Sequence, residues 1–300
     1  MKWGLILFFN LYLFSLWAEN PNYDQLKSDR NLLIGILKSN PTPQEIKKAI
    51  ESGIDPNQRS DNTYPILLAS EKCNDNDIEV IKALIMGGAE VNIIPIPSEG
   101  SPLMLAVQGQ KKKIVKTLLD AGADPNAKRP ETNETALIFA SYMNEDIEII
   151  KMLLQAGARI NDKDKYGTTA LTAAVSRPER VDFVHFLLAA KADIHIRDDK
   201  GGSAIFYAAS PETLDLLLTA GARINEQNND GLSPLMIAAK YDREPELIIA
   251  IMKYGADLLA EDNAGKTVLD HLDTNKHLKD SPIRKTIKDA MRKMSGGKIP

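Results

Sequence analysis

Three hundred residues suffice for one elongated domain or two compact ones, and 43% hydrophobic with 26% charged residues is the composition of a folded chain, not a disordered one. A net charge of −4 and an isoelectric point near 5.7 exclude the strongly basic balance of a nucleic-acid binder. The single cysteine, Cys73, excludes an intramolecular disulfide and a four-cysteine zinc site, and reads as a small apolar filler.

The chain opens on "MKWGLILFFNLYLFSLWA": one positive charge at Lys2, an apolar and aromatic run to Ala18, then polar sequence at once. This is the pattern of a secretory signal peptide. As a helix, the run would span about 24 Å, short of the roughly 30 Å hydrocarbon core. Asn10 at its middle weakens an anchor further. Cleavage is expected after Ala18, although Leu16 is bulkier than the usual small residue there. An uncleaved anchor is the alternative. No cysteine stands at the junction to carry a lipid. No other segment approaches spanning length, so the mature chain is expected to be exported, to a periplasm or outside the cell, with no stable membrane span.

Residues 19–52 predict a polar-faced helix pair, and a repeat follows over 53–272. A turn glycine or its replacement falls at Gly53, Gly88, Gly122, Gly157, Lys191, Gly221 and Gly255, steps of 35, 34, 35, 34, 30 and 34. A second marker keeps phase with it, as in Ser101-Pro102-Leu103, Thr135-Ala136-Leu137, Thr169-Ala170-Leu171 and Ser233-Pro234-Leu235. Each period predicts a Ser- or Thr-capped first helix, a polar break and a second helix. In "DIEIIKMLLQ", Asp146 stands near the start, and Ile147, Ile150, Leu153 and Leu154 form one apolar stripe. Glycine then suits the left-handed residue that ends many helices.

The combination "SPLMIAAK…PELIIAIMKYGADLLAEDNAG" resembles the ankyrin repeat, over about residues 24–272. The resemblance implies an all-α solenoid of stacked antiparallel helix pairs joined by β-hairpin-like fingers. The family's histidine in the first helix is replaced by Leu67, Met104, Ile138, Thr172, Phe206, Met236 and Asp270, so apolar packing is expected in place of its hydrogen bond. Lys191 stands where glycine belongs, at about 1 kcal/mol if the left-handed geometry is kept. The 30-residue step removes residues around Ser210-Pro211 and should tighten that turn. "IIPIPSEG", Ile93 to Gly100, predicts a longer, more apolar finger.

Residues 273–300 predict a charged capping helix and tail. From Lys276 onward, eight Lys/Arg face two Asp/Glu, a net of +6 that leaves −10 for the rest of the −4 total. A weak contact with an anionic surface is conceivable for this end; a solvated cap is the simpler reading.

Candidate chemistry is thin. "AGKT" at Ala264–Thr267 lacks the glycine of a phosphate loop, having Ala260 instead, and Thr267 belongs to the repeat marker. "DKDKYG" at Asp162–Gly167 begins like a calcium loop, but its twelfth position is Ala173. "NDND" at Asn74–Asp77 reads as a loop and helix cap. His185 reads as packing or surface, and His195 replaces a post-turn asparagine (Asn126, Asn161 and Asn225 elsewhere), where a loop hydrogen bond is expected. His271 and His277 with Asp270 and Asp273 form the one cluster of metal-ligand types. No cofactor, metal or catalytic residue is assigned. A metal-dependent enzyme using the His271 region is a minor alternative.

The resemblance implies a partner-binding concave strip built from finger tips and exposed first-helix positions. On it fall Tyr142, Met143, Lys165, Tyr166, Thr168, Ser176, Arg177, Asp199, Lys200, Asn229, Leu232, Lys240 and Tyr241. The expected function is a non-enzymatic, exported scaffold, in a bacterial periplasm, that binds a protein partner; a secreted effector acting on host proteins is the alternative.

Overall fold

A computed structural model describes residues 32–60, 63–94, 100–143, 146–241 and 244–294. The N-terminal apolar run with its expected cleavage point, most of the apolar finger (95–99) and the tail (295–300) lie outside the described residues. Among those described are fifteen α-helices and two short 3-10 helices. The expected hairpin-like fingers are loops carrying at most isolated antiparallel bridges, Ser60–Thr63 and Lys128–Thr135.

Two compact units divide the chain after Ala123. The first holds α1 (Leu32–Lys38), α2 (Pro43–Glu51), α3 (Pro65–Lys72), α4 (Ile78–Met86), α5 (Pro102–Gln108) and α6 (Lys112–Asp120). Its first helices pack as a row, α1 on α3 on α5, and its second helices as another, α2 on α4 on α6. The second unit holds α7 (Ala136–Met143), α8 (Ile147–Gln155), α9 (Ala170–Val175), α10 (Val181–Ala189), α11 (Pro211–Thr219), α12 (Pro234–Lys240), α13 (Pro245–Lys253), α14 (Val268–Thr274) and α15 (Pro282–Met294). In it α7 packs on α9, α12 on α14, and α10 on α11 on α13 on α15.

The helix starts follow from the marker residues. Ser101 Oγ accepts the Met104 amide at 3.3 Å, Thr169 Oγ1 that of Thr172 at 3.2 Å, and Ser233 Oγ that of Met236 at 3.3 Å. Each meets one of the amides a helix start leaves without a partner. Proline opens α5 and α12, where its missing N–H costs nothing. Asp146 caps α8 through the Glu148 amide at 2.9 Å. The buried stripe of α8 is Ile149, Ile150 and Leu153; Ile147 and Leu154 are only half-buried, so the face sits slightly rotated from the expected one. Leu67, Met104, Ile138, Thr172, Phe206 and Met236, in the place of the family's histidine, are all buried. Ala238 and Ala239 are also buried, leaving room for the neighbouring helices to approach.

The short repeat changes more than a turn. Its first helix is reduced to a 3-10 turn, Ala204–Tyr207, and Ser210 at once caps α11 in a reciprocal pair with Thr213. The Ala209 amide donates to the Val175 carbonyl of α9 at 3.1 Å, filling the place a longer helix would take. The C-terminal helix α15 buries Ile283, Ile287 and Met291 at four-residue steps and leaves Lys285, Arg292 and Lys293 exposed.

The turn glycines Gly53, Gly88, Gly122, Gly157, Gly221 and Gly255 have φ between 82° and 102°, and Lys191 is held at 69° in the same role. Lys191 is exposed. Lys191→Gly is therefore expected to stabilise the protein by about 1 kcal/mol, the left-handed strain relieved outweighing the added freedom of the unfolded chain. A rise in the urea midpoint at constant slope checks it.

Candidate functional site

The finger side of the second unit is built by one device used four times. Asp164 Oδ1 accepts the amides of Tyr166 and Thr168, both at 2.8 Å. Asp198 holds Lys200 and Gly202 in the same way, Asn228 holds Asp230 and Leu232, and Asp262 holds Ala264 and Lys266. Each side chain thus closes a tight loop on its own backbone. The closed tips then bond to one another: Lys165 N to Thr132 O (2.8 Å), Asp199 N to Tyr166 O (3.1 Å), Asn229 N to Lys200 O (2.9 Å) and Asn263 N to Asp230 O (3.0 Å). A second ladder runs behind the tips. Asn126 accepts from the Arg159 amide and donates to the Gly157 carbonyl, and Asn225 does the same with Asp257 and Gly255. The loop hydrogen bond at His195 is made by its backbone amide, which donates to Asp193 Oδ1 at 2.8 Å, and not, among the described residues, by its ring, whose donor and acceptor nitrogens do not sit on one carbon-bound amide group as in asparagine. The ring instead lines a cleft with Arg197, Arg223, Asn225 and Glu226.

This rigid frame carries the predicted strip. Tyr142, Tyr166 and Tyr241 are 41%, 60% and 57% exposed, and Met143, Lys165, Asp199, Lys200, Asn229 and Lys240 are exposed with them. Lys165 Nζ lies 5.0 Å from the Tyr166 ring centre, and Lys240 Nζ 5.3 Å from that of Tyr241. The Arg177 guanidinium stacks on Tyr142 at 4.0 Å. Thr168, Ser176 and Arg177 are half-buried. Ser176 turns its hydroxyl back onto the Ala173 carbonyl, and Asn229 donates its amide to the Asp199 carbonyl, so these two serve the frame.

Leu232 is a correction. Expected on the exposed strip, it is only 3% exposed. The Asn228 turn draws its backbone inward, and its side chain joins Phe206, Ile237 and Tyr241 in lining a cleft of about 340 Å³. The same cleft holds Tyr207, which sequence reasoning missed. Tyr207 donates its hydroxyl to Asp198 Oδ2. Burial, then that bond, pushes the phenol far above its usual range, so it stays protonated. His271 Nε2 meets Asp262 Oδ2 at 2.9 Å in the same relation, nine residues after the finger carboxylate. In these two repeats a side chain one place beyond the family's histidine bonds the finger, where apolar packing alone was expected. Only the shared nine-residue offset could have flagged them.

The cluster around His271 disperses into separate tasks. His271 is buried on Asp262, Asp270 receives the Thr267 amide and hydroxyl at the start of α14, Asp273 pairs with Arg284, and His277 is exposed. Among the described residues no three His, Cys, Asp or Glu side chains gather as a metal site. The "AGKT" residues Lys266 and Thr267 lie in the last finger and the α14 cap. In "NDND", Asp75 accepts the Lys113 and Ile114 amides and so caps α6. No helix among the described residues is long and apolar enough to cross a membrane.

The Asp262 carboxyl is held below the usual carboxylate range, first by the Lys266 amide and then by the Ala264 amide and His271, against the opposing effect of desolvation. Its folded pKa lies below the unfolded value of about 3.9, so its stabilising contribution is present above about pH 4 and fades as pH falls through the lower folded value. Urea midpoints of wild type and Asp262→Asn should differ at pH 6 and converge toward pH 2.5.

Capped helix pairs, left-handed turns and laddered fingers beside exposed aromatics define a helical-repeat interaction scaffold. Family models described as "Ankyrin repeats" match residues 33–129, 128–198 and 217–272. The chain belongs to the ankyrin repeat family, whose repeats are generally non-enzymatic protein–protein interaction modules. Similar proteins include "SH3 and multiple ankyrin repeat domains protein 2" of Homo sapiens, 32% identical over 53% of this chain and 9% of that protein. A "Putative ankyrin repeat protein FPV031" of Fowlpox virus is 30% identical over 57% and 42%. A "Putative ankyrin repeat-containing protein" of Treponema pallidum is 35% identical over 31% and 30%. The chain thus spans less than half the length of each of these relatives.

Proposed function

We propose that this protein is an exported, non-enzymatic scaffold that binds a partner protein through the finger side of its second unit. The observation that carries the reading is the exposed series Tyr142, Tyr166 and Tyr241 on a hydrogen-bonded frame. Tyrosine and arginine are the residue types that dominate binding energy at interfaces, and a frame tied tip to tip loses little freedom on docking. The signal-like first eighteen residues support a partner in a periplasm or outside the cell.

Chemical crosslinking in the exporting cell, followed by capture of the chain, tests this. The wild type should retain one dominant partner protein, and a Tyr166→Ala/Arg177→Ala/Tyr241→Ala variant of equal helicity should retain less than a tenth of it, as loss of several hot-spot side chains predicts. Equal capture by both rejects the strip. The intact mass of the exported chain tests cleavage after Ala18 separately.

A further inference from the structure

Among the described residues, Arg177 and Arg180 are cations without an anion. Arg177 and Arg180 share the 3-10 turn that joins α9 to α10, the Arg180 amide donating to the Arg177 carbonyl at 3.1 Å. Elsewhere in this unit, Arg129 pairs with Glu134 at 2.8 Å and Arg197 with Glu226 at 3.3 Å. Among the described residues neither Arg177 nor Arg180 has a carboxylate at ion-pair distance or a side-chain hydrogen bond, and the Nε of each is buried without a partner. Arg180 is only 7% exposed. Each guanidinium lies instead over a ring: Arg177 at 4.0 Å from Tyr142, Arg180 at 4.8 Å from Phe183.

A charged side chain as far from water as Arg180 is normally paired, because an unmet donor forfeits its hydration for nothing. Stacking on a ring occupies the face of a guanidinium and leaves its edge, where the N–H donors lie, for an acceptor. It also holds the planar fork in place before any ligand arrives, which lowers the ordering cost of binding. Exposed Tyr142 and Met143 supply apolar area beside the fork. Glu179 on the same turn and Asp182 just after it, both exposed, temper the positive charge of the two arginines. A fork with little net charge around it suits a carboxylate monoanion better than a phosphate dianion.

We infer that Arg177 and Arg180 form a carboxylate-receiving anchor, which takes an Asp or Glu side chain from a segment of the partner protein while Tyr142 and Met143 cover the apolar residue beside it. This inference rests on the strip being the binding surface, and it specifies the partner's chemistry.

Random dodecapeptides displayed on phage and selected against the full chain provide the probe. The enriched sequences should share an Asp or Glu at one fixed position. A synthetic binder with both ends blocked should lose about ten- to a hundredfold in affinity when that residue becomes Gln or Asn, since a charge-assisted hydrogen bond is removed. Arg177→Lys, which keeps the charge and loses the fork, should weaken the same peptide about as much. The peptide-side change leaves the protein's own folding untouched. Binders with no shared acid, which still depend on Tyr166 and Tyr241, would overturn the anchor and leave the strip standing. Binders that need a free C-terminal carboxylate would also overturn it. Binders indifferent to every strip substitution, or no binders, would count against both readings.

Discussion

Gly167→Ala is expected to destabilise the protein by about 2–4 kcal/mol, far more than the same change at Gly157. Both glycines have left-handed backbones, with φ of 85° and 90°. A methyl group at Gly157 would meet nothing within 4 Å, so only the backbone strain of about 1 kcal/mol applies there. At Gly167 the added carbon would sit 2.5 Å from the Asp198 Cα and 3.0 Å from the Asp199 N of the next finger. Backbone cannot swing aside as a side chain can. The fingers must part, and the Asp199 N to Tyr166 O bond of 3.1 Å goes with them. Chemical denaturation of the two variants should separate the effects. Equal losses would mean that the ladder contributes nothing beyond its turns. Because Tyr166 sits on that ladder, Gly167→Ala should also weaken partner capture.

Leu217→Ala is expected to cost about 3–5 kcal/mol. Leu217 is fully buried in α11, which packs on α10, on α13 and on the 3-10 turn Ala204–Tyr207. A helix pair in a stack cannot bury its apolar side alone, so one interior leucine serves the contacts with both neighbours. The first helix here is already reduced to one 3-10 turn, and Ala209 is tied to Val175, so little chain remains to collapse into the cavity. Leu218, one residue on and half-buried, should cost about 1 kcal/mol when cut to alanine. Urea midpoints compare the pair; similar losses at both positions would contradict the packing order.

Much of the fold is legible because its rules are local. The cap at Ser233, the proline of α12 and the left-handed turn at Gly255 each depend on a few neighbouring residues, and each recurs in phase. The exposure of Tyr142, Tyr166 and Tyr241 followed from the same phase. Leu232 did not, because phase marks a position on the finger but not the inward draw that Asn228 exerts on it. Tyr207 and His271 were hidden for a related reason. Their partners Asp198 and Asp262 lie nine residues back, beyond any helical period, and meet them only when the finger folds over the helix.

Sequence alone determined the period, the helix pairs, the turn glycines and membership of the ankyrin family, since a 34-residue spacing with glycine and Ser/Thr–Pro markers admits few chain paths. Tertiary structure alone decided which polar groups pair across repeats and which remain unpaired. Arg197 found Glu226 in the next finger, whereas among the described residues Arg177 and Arg180 found rings and no carboxylate. The reason is physical: helix and turn preferences act over a few residues, while the partner of a charge is chosen by stacked neighbours some thirty residues away in the chain, at distances that no spacing rule contains.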